Sequence, residues 1–308
     1  MGAGGGSLAP QAHFAFGANW RRYLAAITPA RLEQASRSLR EMLDRDDLEG
    51  LNFLDVGSGS GLFSLAARRL GATVVSFDYD PESVACGQSL RQQYQPDDPG
   101  WRVERGDALD RGYLAGLGSF DVVYSWGVLH HTGDQWRALA NLTDLVRPGG
   151  LLYIALYNDQ GWPSRAWVLV KRAYNRLPGS LRWLVAGPAL IRLWGPTMLK
   201  DCLRGRPGHS WRTYQSARGM DAWRDFIDWV GGYPFEVSRP GQVVEFMTER
   251  GFTPLRVKDC GGGLGCNEFV FCRERQADGE QNAVSCQPHC LAMKYTGGDE
   301  PLPYIKKP

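Results

Sequence analysis

A glycine-rich turn between two apolar runs constrains the fold of this chain more than any other feature. The first run, Phe53–Val56, predicts a short buried strand, and the second, Thr73–Phe77, predicts another that ends in Asp78. Between them, apolar residues recur at helical spacing after three alternating glycines, Gly57, Gly59 and Gly61. Strand, glycine turn, helix, strand and acid in this order predict a nucleoside-binding unit. Backbone without Cβ atoms lets a ligand approach, and the terminal carboxylate accepts hydrogen bonds from ribose hydroxyls.

The spacing of the glycines distinguishes between nucleoside ligands. A dinucleotide-binding turn follows the pattern G-x-G-x-x-G, but Leu62 stands where its third glycine belongs, and the Lys-Ser or Lys-Thr pair of a P-loop is missing. Instead, Asp55 precedes the first glycine by two residues. A carboxylate there would repel a pyrophosphate, but it could hold the ammonium group of an amino-acid-bearing cofactor, directly or through water. A nicotinamide or flavin domain, or a glycine turn without a ligand, is the alternative interpretation.

The resulting pattern D-x-G-x-G-x-G resembles motif I of the class I S-adenosylmethionine (SAM) methyltransferases. The sequence RGDAL at 105–109 is similar to the third motif of this family, whose Asp receives the adenine amino group. WGVLHHTGD at 126–134 resembles the segment after strand four in small-molecule methyltransferases. The resemblance covers residues 50–156 strongly and 236–273 moderately, with the features of ubiquinone-biosynthesis-type O-methyltransferases. It implies SAM as cofactor, S-adenosylhomocysteine (SAH) as product and no metal.

Strand and helix patterns alternate through most of the chain, which predicts an α/β fold with parallel strands and right-handed crossovers. A helix is predicted from Pro29, with Thr28 as its N-cap, to about Asp47. Further strands are predicted at Trp101–Glu104, Phe120–Ser125, Leu151–Leu156, Phe252–Val257 and Asn267–Cys272. The family resemblance implies a Rossmann-like, doubly wound seven-stranded sheet whose seventh strand is antiparallel to the sixth.

The candidate site residues follow from this topology, because ligands of such sheets lie at the carboxyl ends of the parallel strands. We expect the cofactor to be bound by residues in the turn and at the strand ends, namely Asp55, Gly57, Ser58, Gly59, Gly61, Asp78, Tyr79, Asp107, Ala108, Ser125 and Trp126. We expect the acceptor substrate at the end of strand five and after the last turn, at Tyr157, Asn158, Asp159 and Asn267, with Glu268 as a further candidate.

The chemistry needs few catalytic groups. Methyl transfer from a sulfonium is a direct displacement, so the protein has to align the acceptor and, where needed, remove a proton. His130 and His131 are the candidates for this base, because imidazole titrates near neutrality and both follow strand four closely. The alternative is that these histidines only bond to backbone and hold the loop.

Between residues 157 and 235 the strand–helix alternation stops. This segment contains seven of the eleven tryptophans and has 12 Lys plus Arg against 5 Asp. Helices are predicted at Ser164–Leu177, at Leu181–Trp194 with an interruption at Gly187-Pro188, and at Asp221–Val230. We expect a helical lid over the crevice that suits an anionic or amphipathic acceptor. A nucleic-acid surface, a tryptophan core with solvated arginines, and a homodimer interface are the alternatives.

The domain prediction is a core formed by residues 13–156 and 236–273, with the insertion at 157–235, a disordered N-terminus at 1–12 and an irregular tail at 274–308. Trp20 and Tyr23 are expected either to cover the cofactor or to pack on the domain surface.

A net charge of +2 indicates no particular partner, and the spacing of the seven cysteines argues against zinc. Without an apolar run of transmembrane length, a cytoplasmic location is expected.

A small molecule is the expected acceptor. The chain has no NPPY-type motif after strand four and no recognisable RNA-binding appendage, which argues against a nucleic-acid acceptor. An RNA- or protein-directed methyltransferase, and a SAM-binding protein that does not transfer methyl groups, remain the alternative functions.

Overall fold

A seven-stranded sheet organises the computed structural model, which describes residues 27–96, 98–214 and 222–275. Its strands are β1 (Asn52–Val56), β2 (Thr73–Asp78), β3 (Trp101–Arg105), β4 (Phe120–Trp126), β5 (Val146–Tyr157), β6 (Phe252–Lys258) and β7 (Cys266–Arg273). They lie in the order β3-β2-β1-β4-β5-β7-β6. The first five strands are parallel, and β7 is antiparallel to both β5 and β6. The predicted doubly wound sheet with an antiparallel last strand is confirmed.

Helices cover both faces of this sheet. The helices of the described residues are α1 (Pro29–Leu43), α2 (Leu62–Arg69), α3 (Pro81–Tyr94), α4 (Arg111–Ala115), α5 (Gln135–Leu145), α6 (Trp162–Arg176), α7 (Trp183–Leu203), α8 (His209–Arg212), α9 (Ala222–Gly231) and α10 (Pro240–Thr248), of which α6–α9 belong to the insertion. Short 3₁₀ turns occur at Leu129–His131 and Gly179–Leu181. Helix α1 begins as predicted, with the Thr28 side chain accepting from the Arg31 amide. It ends earlier than predicted, because Asp44 adopts a left-handed φ of 55°.

An apolar layer packs on each face of the sheet, because successive strand residues point to opposite faces. Helices α1 and α2 cover one face, where Leu39, Leu65 and Tyr153 are buried together. Helices α5 and α10 cover the other, where Leu142, Met247 and Phe269 are buried. The parallel strands therefore all end at one edge of a sheet that is covered on both faces, and this edge is where the glycine turn lies.

The described part of the insertion at residues 157–235 has an apolar cluster of its own. Tyr174, Trp194, Phe226 and Val230 are buried in it, together with small residues of α7. The predicted interruption of α7 at Gly187-Pro188 is wrong, since the helix continues through both Pro188 and Pro196. Both prolines are solvent-exposed, so water can reach the carbonyls that lose their helical partners.

Several predictions fall on residues outside the described ranges. These are the N-terminal segment with Trp20 and Tyr23, and the tail from residue 276 onward. Within the described ranges, none of the helices is long and apolar enough to span a bilayer. Nor does that part of the chain bring together three or more His, Cys, Asp or Glu side chains as a metal-binding group.

Candidate active site

A cavity of about 290 Å³ opens at the carboxyl ends of β1, β2 and β4. Of the predicted site residues, nine line it: Gly57, Gly59, Asp78, Tyr79, Asp107, Ala108, Trp126, His131 and Tyr157. The five parallel strands bring these residues together from five separate parts of the sequence. The cavity therefore lies where the fold class predicts a ligand site.

The glycine turn forms one wall of the cavity. The amides of Gly57 and Ser58 donate to the Phe77 carbonyl at 2.8 and 3.0 Å, which ties the turn to β2. Gly57 has a φ of +74°, and a Cβ atom built on it would lie only 2.3 Å from a methyl carbon of Val128. Both its backbone conformation and its packing against Val128 thus require glycine.

Asp78 ends β2 at the centre of the site. Its carboxylate accepts from the Gly59 amide and the Asp80 amide, each at 2.9 Å. Burial raises the pKa of Asp78 to about 6, although these backbone hydrogen bonds act in the opposite direction. The group is a hydrogen-bond acceptor above that pH, held in place by the turn that it stabilises.

The far end of the cavity is formed by the segment after β3. Asp107 lines it beside Ala108, and one oxygen of the Asp107 carboxylate accepts from the Leu109 amide at 2.8 Å. On the open side Tyr79 is half exposed, and the Arg105 side chain donates to its carbonyl at 3.3 Å. Two carboxylates, Asp78 and Asp107, thus present acceptor atoms along one cavity.

Four predicted cofactor residues support the turn and do not line the cavity. Asp55 is buried behind it and accepts from the Ser64 hydroxyl at 2.5 Å, and burial raises the pKa of Asp55 to about 7. The Ser125 hydroxyl donates to the Val56 carbonyl at 3.1 Å. The Gly61 amide donates to the Ser58 carbonyl at 2.8 Å and closes the turn. A water-mediated role for Asp55 stays a prediction.

The two histidines lie in different environments, although they are adjacent in sequence. His131 lines the cavity, and its Nδ1 lies 2.6 Å from the carbonyl oxygen of Pro234. His130 is fully buried, and its Nδ1 accepts from the Tyr157 amide at 3.2 Å. Burial, followed by electrostatic repulsion from the titratable side chains of His131 and Lys171, holds the pKa of His130 well below its usual range. His130 is therefore neutral and away from the cavity, whereas His131 faces it.

The predicted acceptor residues divide in the same way. Tyr157 reaches the cavity. Asn158 instead accepts from the Asn267 side chain at 3.1 Å, which joins the end of β5 to β7. Asp159 forms an ion pair with Arg239 at 3.3 Å. Glu268 lies on the α1 side of the sheet, where its carboxylate accepts a hydrogen bond from the Tyr153 hydroxyl. These four side chains fasten the strand ends and do not line the cavity.

Sequence reasoning missed several lining residues, of which Tyr233 is the most informative. Tyr233 lies near the end of the insertion, and its hydroxyl accepts from Arg172 Nε at 3.1 Å. No local pattern could have identified it, because its position depends on how α6 and α9 return to the sheet. Val128 and Thr132, which also line the cavity, flank the histidines and could have been inferred from that proximity.

Comparisons with known proteins show what this chain is similar to. The methyltransferase domain family model matches residues 54–154. A ubiquinone biosynthesis O-methyltransferase of Caulobacter vibrioides is 33% identical over 190 residues, which are 60% of this chain and 71% of that protein. One from Cereibacter sphaeroides is 29% identical over 183 residues, and this chain spans 65% of its length.

Among solved structures, a magnesium protoporphyrin IX methyltransferase from Synechocystis with bound SAH superposes with a TM-score of 0.49 at 14% identity, covering 83% of this chain and 94% of that one. The fold is a doubly wound α/β sheet with a cavity at the carboxyl ends of its parallel strands. From the sequence matches, the chain belongs to the family of SAM-dependent methyltransferases, as its motifs predicted.

Proposed function

We propose that this protein transfers a methyl group from SAM to an oxygen atom of a small-molecule acceptor. The observation that carries the proposal is the convergence of the glycine turn, Asp78, Asp107 and His131 on one cavity. Family membership supports the cofactor, and the name shared by the curated relatives, ubiquinone biosynthesis O-methyltransferase, supports oxygen as the methylated atom.

The lining residues fit SAM by their chemistry. Asp78 would accept hydrogen bonds from the ribose hydroxyls, and Asp107 would receive the adenine amino group. Gly57 and Gly59 would hold the amino-acid end, since the absence of side chains leaves room along their backbone. When bound, SAM supplies an electrophilic methyl group on a sulfonium.

His131 acts as the base. The Pro234 carbonyl can only accept a hydrogen bond, so His131 Nδ1 carries the proton and Nε2 of the neutral ring carries the lone pair. Nε2 then takes the proton from the acceptor hydroxyl, which leaves the acceptor oxygen nucleophilic and the imidazole doubly protonated until solvent removes the extra proton. His130 is not the base, because it is buried with its Nδ1 already accepting from Tyr157.

The insertion acts as a lid that shapes the acceptor side. Three contacts support this role. Tyr233 lines the cavity, and the Pro234 carbonyl contacts His131. The Trp229 ring packs edge-on to Tyr157 with centroids 5.5 Å apart. A closed, aromatic lid excludes water from the sulfonium during transfer. The excess of basic residues in this segment suits an acceptor with an acidic group.

Isotope transfer into a mixture of candidate acceptors tests the function. The protein is incubated with SAM that carries a trideuterated methyl group and with a small-molecule extract, and products are analysed by mass spectrometry. We expect a deuterated methoxy group on a small molecule, formed in step with SAH. Label in RNA or protein alone, or SAM binding without any SAH formation across the extract, would contradict the proposal.

Tyr233→Ala tests the lid in particular. We expect this substitution to raise the KM for the acceptor and to leave SAH affinity unchanged. Trp223→Ala, which alters a half-exposed aromatic residue elsewhere in the insertion, is the matched control. If both variants keep the wild-type KM, the insertion does not form the acceptor site.

A further inference from the structure

Helix α7 is apolar on both of its faces. Its inner face packs on the other helices of the insertion through Ala186, Ala189 and Trp194. Its outer face carries a stripe at helical spacing, which consists of Leu184, Pro188, Ile191, Gly195, Leu199 and Cys202. We call these six residues the outer stripe. A helix that is apolar all round is normally covered all round, but none of the described residues covers the outer stripe.

The exposure of the outer stripe is large. Ile191 is 73% exposed and Leu199 62%, although Ile and Leu are among the residue types that are most often fully buried. Among the described residues, nine of the twelve large exposed apolar side chains lie between Trp162 and Trp223, and both of these tryptophans are among them. The exposed apolar surface is thus concentrated on the insertion and is almost absent from the sheet domain.

The same segment is strongly basic. Residues 162–214 contain ten Lys or Arg and a single acid, Asp201. Asp201 is buried, and its carboxylate accepts from the amide and the hydroxyl of Ser210 at 2.7 and 2.9 Å. Of the cations, Lys171 is buried, whereas Arg192 and Lys200 are exposed on α7 beside the outer stripe. Residues 162–214 therefore carry a large excess of positive charge, since this one acid stands against ten cations.

We propose that the outer stripe of α7 binds the surface of an anionic lipid bilayer, with the helix lying parallel to the membrane plane. Leu184, Ile191 and Leu199 enter the headgroup region, the exposed Trp183 of the same helix lies at the interface, and Arg192 and Lys200 contact anionic headgroups. The helix lies on the bilayer, because no described helix can cross it. This surface is separate from the cavity, so the proposal does not depend on methyl transfer.

The charge distribution favours this occupant over a second copy of the chain. Two copies that paired through the outer stripe would bring two strongly basic surfaces together, and like charges at an interface oppose association. An anionic bilayer instead meets both features of the surface, since it accepts apolar side chains and attracts Lys and Arg.

Vesicle flotation of the full chain tests the proposal. The probes are vesicles of phosphatidylcholine alone and of phosphatidylcholine with about 30% phosphatidylglycerol. We expect the wild type to float with the anionic vesicles, less so as salt rises, and to stay largely unbound with the neutral ones. The triple variant Leu184→Gln, Ile191→Gln, Leu199→Gln keeps good helix formers and should lose at least about tenfold in partitioning. The matched control is the double variant Tyr94→Gln, Leu255→Gln, which changes exposed apolar residues of the sheet domain and should partition like the wild type.

The charge contribution is tested in the same assay. Arg192→Gln with Lys200→Gln should weaken binding to anionic vesicles, whereas Arg37→Gln with Arg69→Gln, two exposed arginines of the sheet domain, should not. Thermal unfolding and SAH binding of each variant establish that it is folded.

Four results would overturn the proposal. The first is wild-type binding that does not depend on anionic lipid. The second is a folded triple variant that partitions like the wild type. The third is a concentration-dependent dimer in sedimentation velocity that the triple variant abolishes, which would assign the stripe to a second copy. The fourth is tighter binding to single-stranded RNA than to anionic vesicles, unaffected by the triple variant.

Discussion

His131 and Pro234 are 103 positions apart in the sequence, yet the ring nitrogen Nδ1 of one lies 2.6 Å from the carbonyl oxygen of the other. This hydrogen bond joins the loop after β4 to the segment that returns from the insertion. It fixes the tautomer of the neutral imidazole, since only a protonated Nδ1 can donate to a carbonyl. The insertion thereby orients the proposed base as well as covering the site.

Substitution of His131 separates these two contributions. His131→Asn places an amide N–H near the position of Nδ1 and can keep the bond to Pro234, but it has no basic nitrogen. We expect turnover to fall by about 10²–10⁴-fold in both His131→Asn and His131→Ala, with SAH affinity retained in the asparagine variant. Initial rates and calorimetry measure the two effects. His209→Ala, at an exposed histidine of α8, is the control, and an active asparagine variant would show that His131 is not the base.

Substitution of Asp78 should mainly weaken SAH binding, whereas substitution of Asp80 should mainly lower stability. Asp78→Ala removes the acceptor for the ribose hydroxyls and should weaken SAH binding by about 2–4 kcal/mol. Asp80 caps α3, because its side chain accepts from the Glu82 amide at 2.9 Å. Asp80→Ala should therefore cost about 1 kcal/mol of stability and much less affinity. Calorimetry and thermal unfolding distinguish them, and equal small losses of affinity would mean that Asp78 does not hold the ribose.

The pH dependence of SAH binding should follow the raised pKa of Asp78, about 6. The ribose hydroxyls donate to the ionised carboxylate, so binding favours the deprotonated form. Affinity should be constant above this pKa and fall by about tenfold per pH unit below it, because binding must then displace a proton. Asp78→Asn cannot titrate and should show weak, nearly pH-independent binding. A wild-type affinity that rises on acidification would contradict this account.

The close packing of Gly57 on Val128 predicts a specific rescue. Gly57→Ala strains a positive φ and places its Cβ against the Val128 side chain, so the turn must shift and SAH binding should weaken. Gly50→Ala has a similar φ of +71° but open space around it, and so measures the backbone strain alone. Val128→Ala in the Gly57→Ala background should recover part of the affinity. If this double variant binds no better than Gly57→Ala, contact with Val128 is not the cause.

Much of the sheet domain could be predicted from local pattern. The apolar runs, the glycines and the strand-terminal acids are all readable within a window of about thirty residues, and a parallel sheet brings such strand ends to one edge. Asp78 and Asp107 were identified for this reason. Their neighbour Asp55 satisfies the same motif, but the Ser64 hydroxyl lies close to it only after α2 has packed on β1.

What local pattern could not supply is the geometry that tertiary packing decides. His130 and His131 are adjacent in sequence, and only the 3₁₀ turn at Leu129–His131 directs one inward and the other to the cavity. Tyr233 and Pro234 reach the site through a fold of the insertion that no periodicity encodes. Pro188 predicted a helix break, but α7 continues through it. Pro188 is exposed, so water can bond to the carbonyl that loses its helical partner, and sequence pattern alone does not show this exposure.

Calorimetric titration of the wild-type protein with SAH and, separately, with NAD tests the central claim most directly. The cavity has carboxylates for a ribose and an adenine amino group, while Leu62 occupies the position of the third glycine that a dinucleotide turn needs. The account predicts saturable binding of SAH at one site per chain, weakened strongly by Asp78→Ala, and no comparable binding of NAD. Tight binding of NAD with no heat from SAH would contradict it.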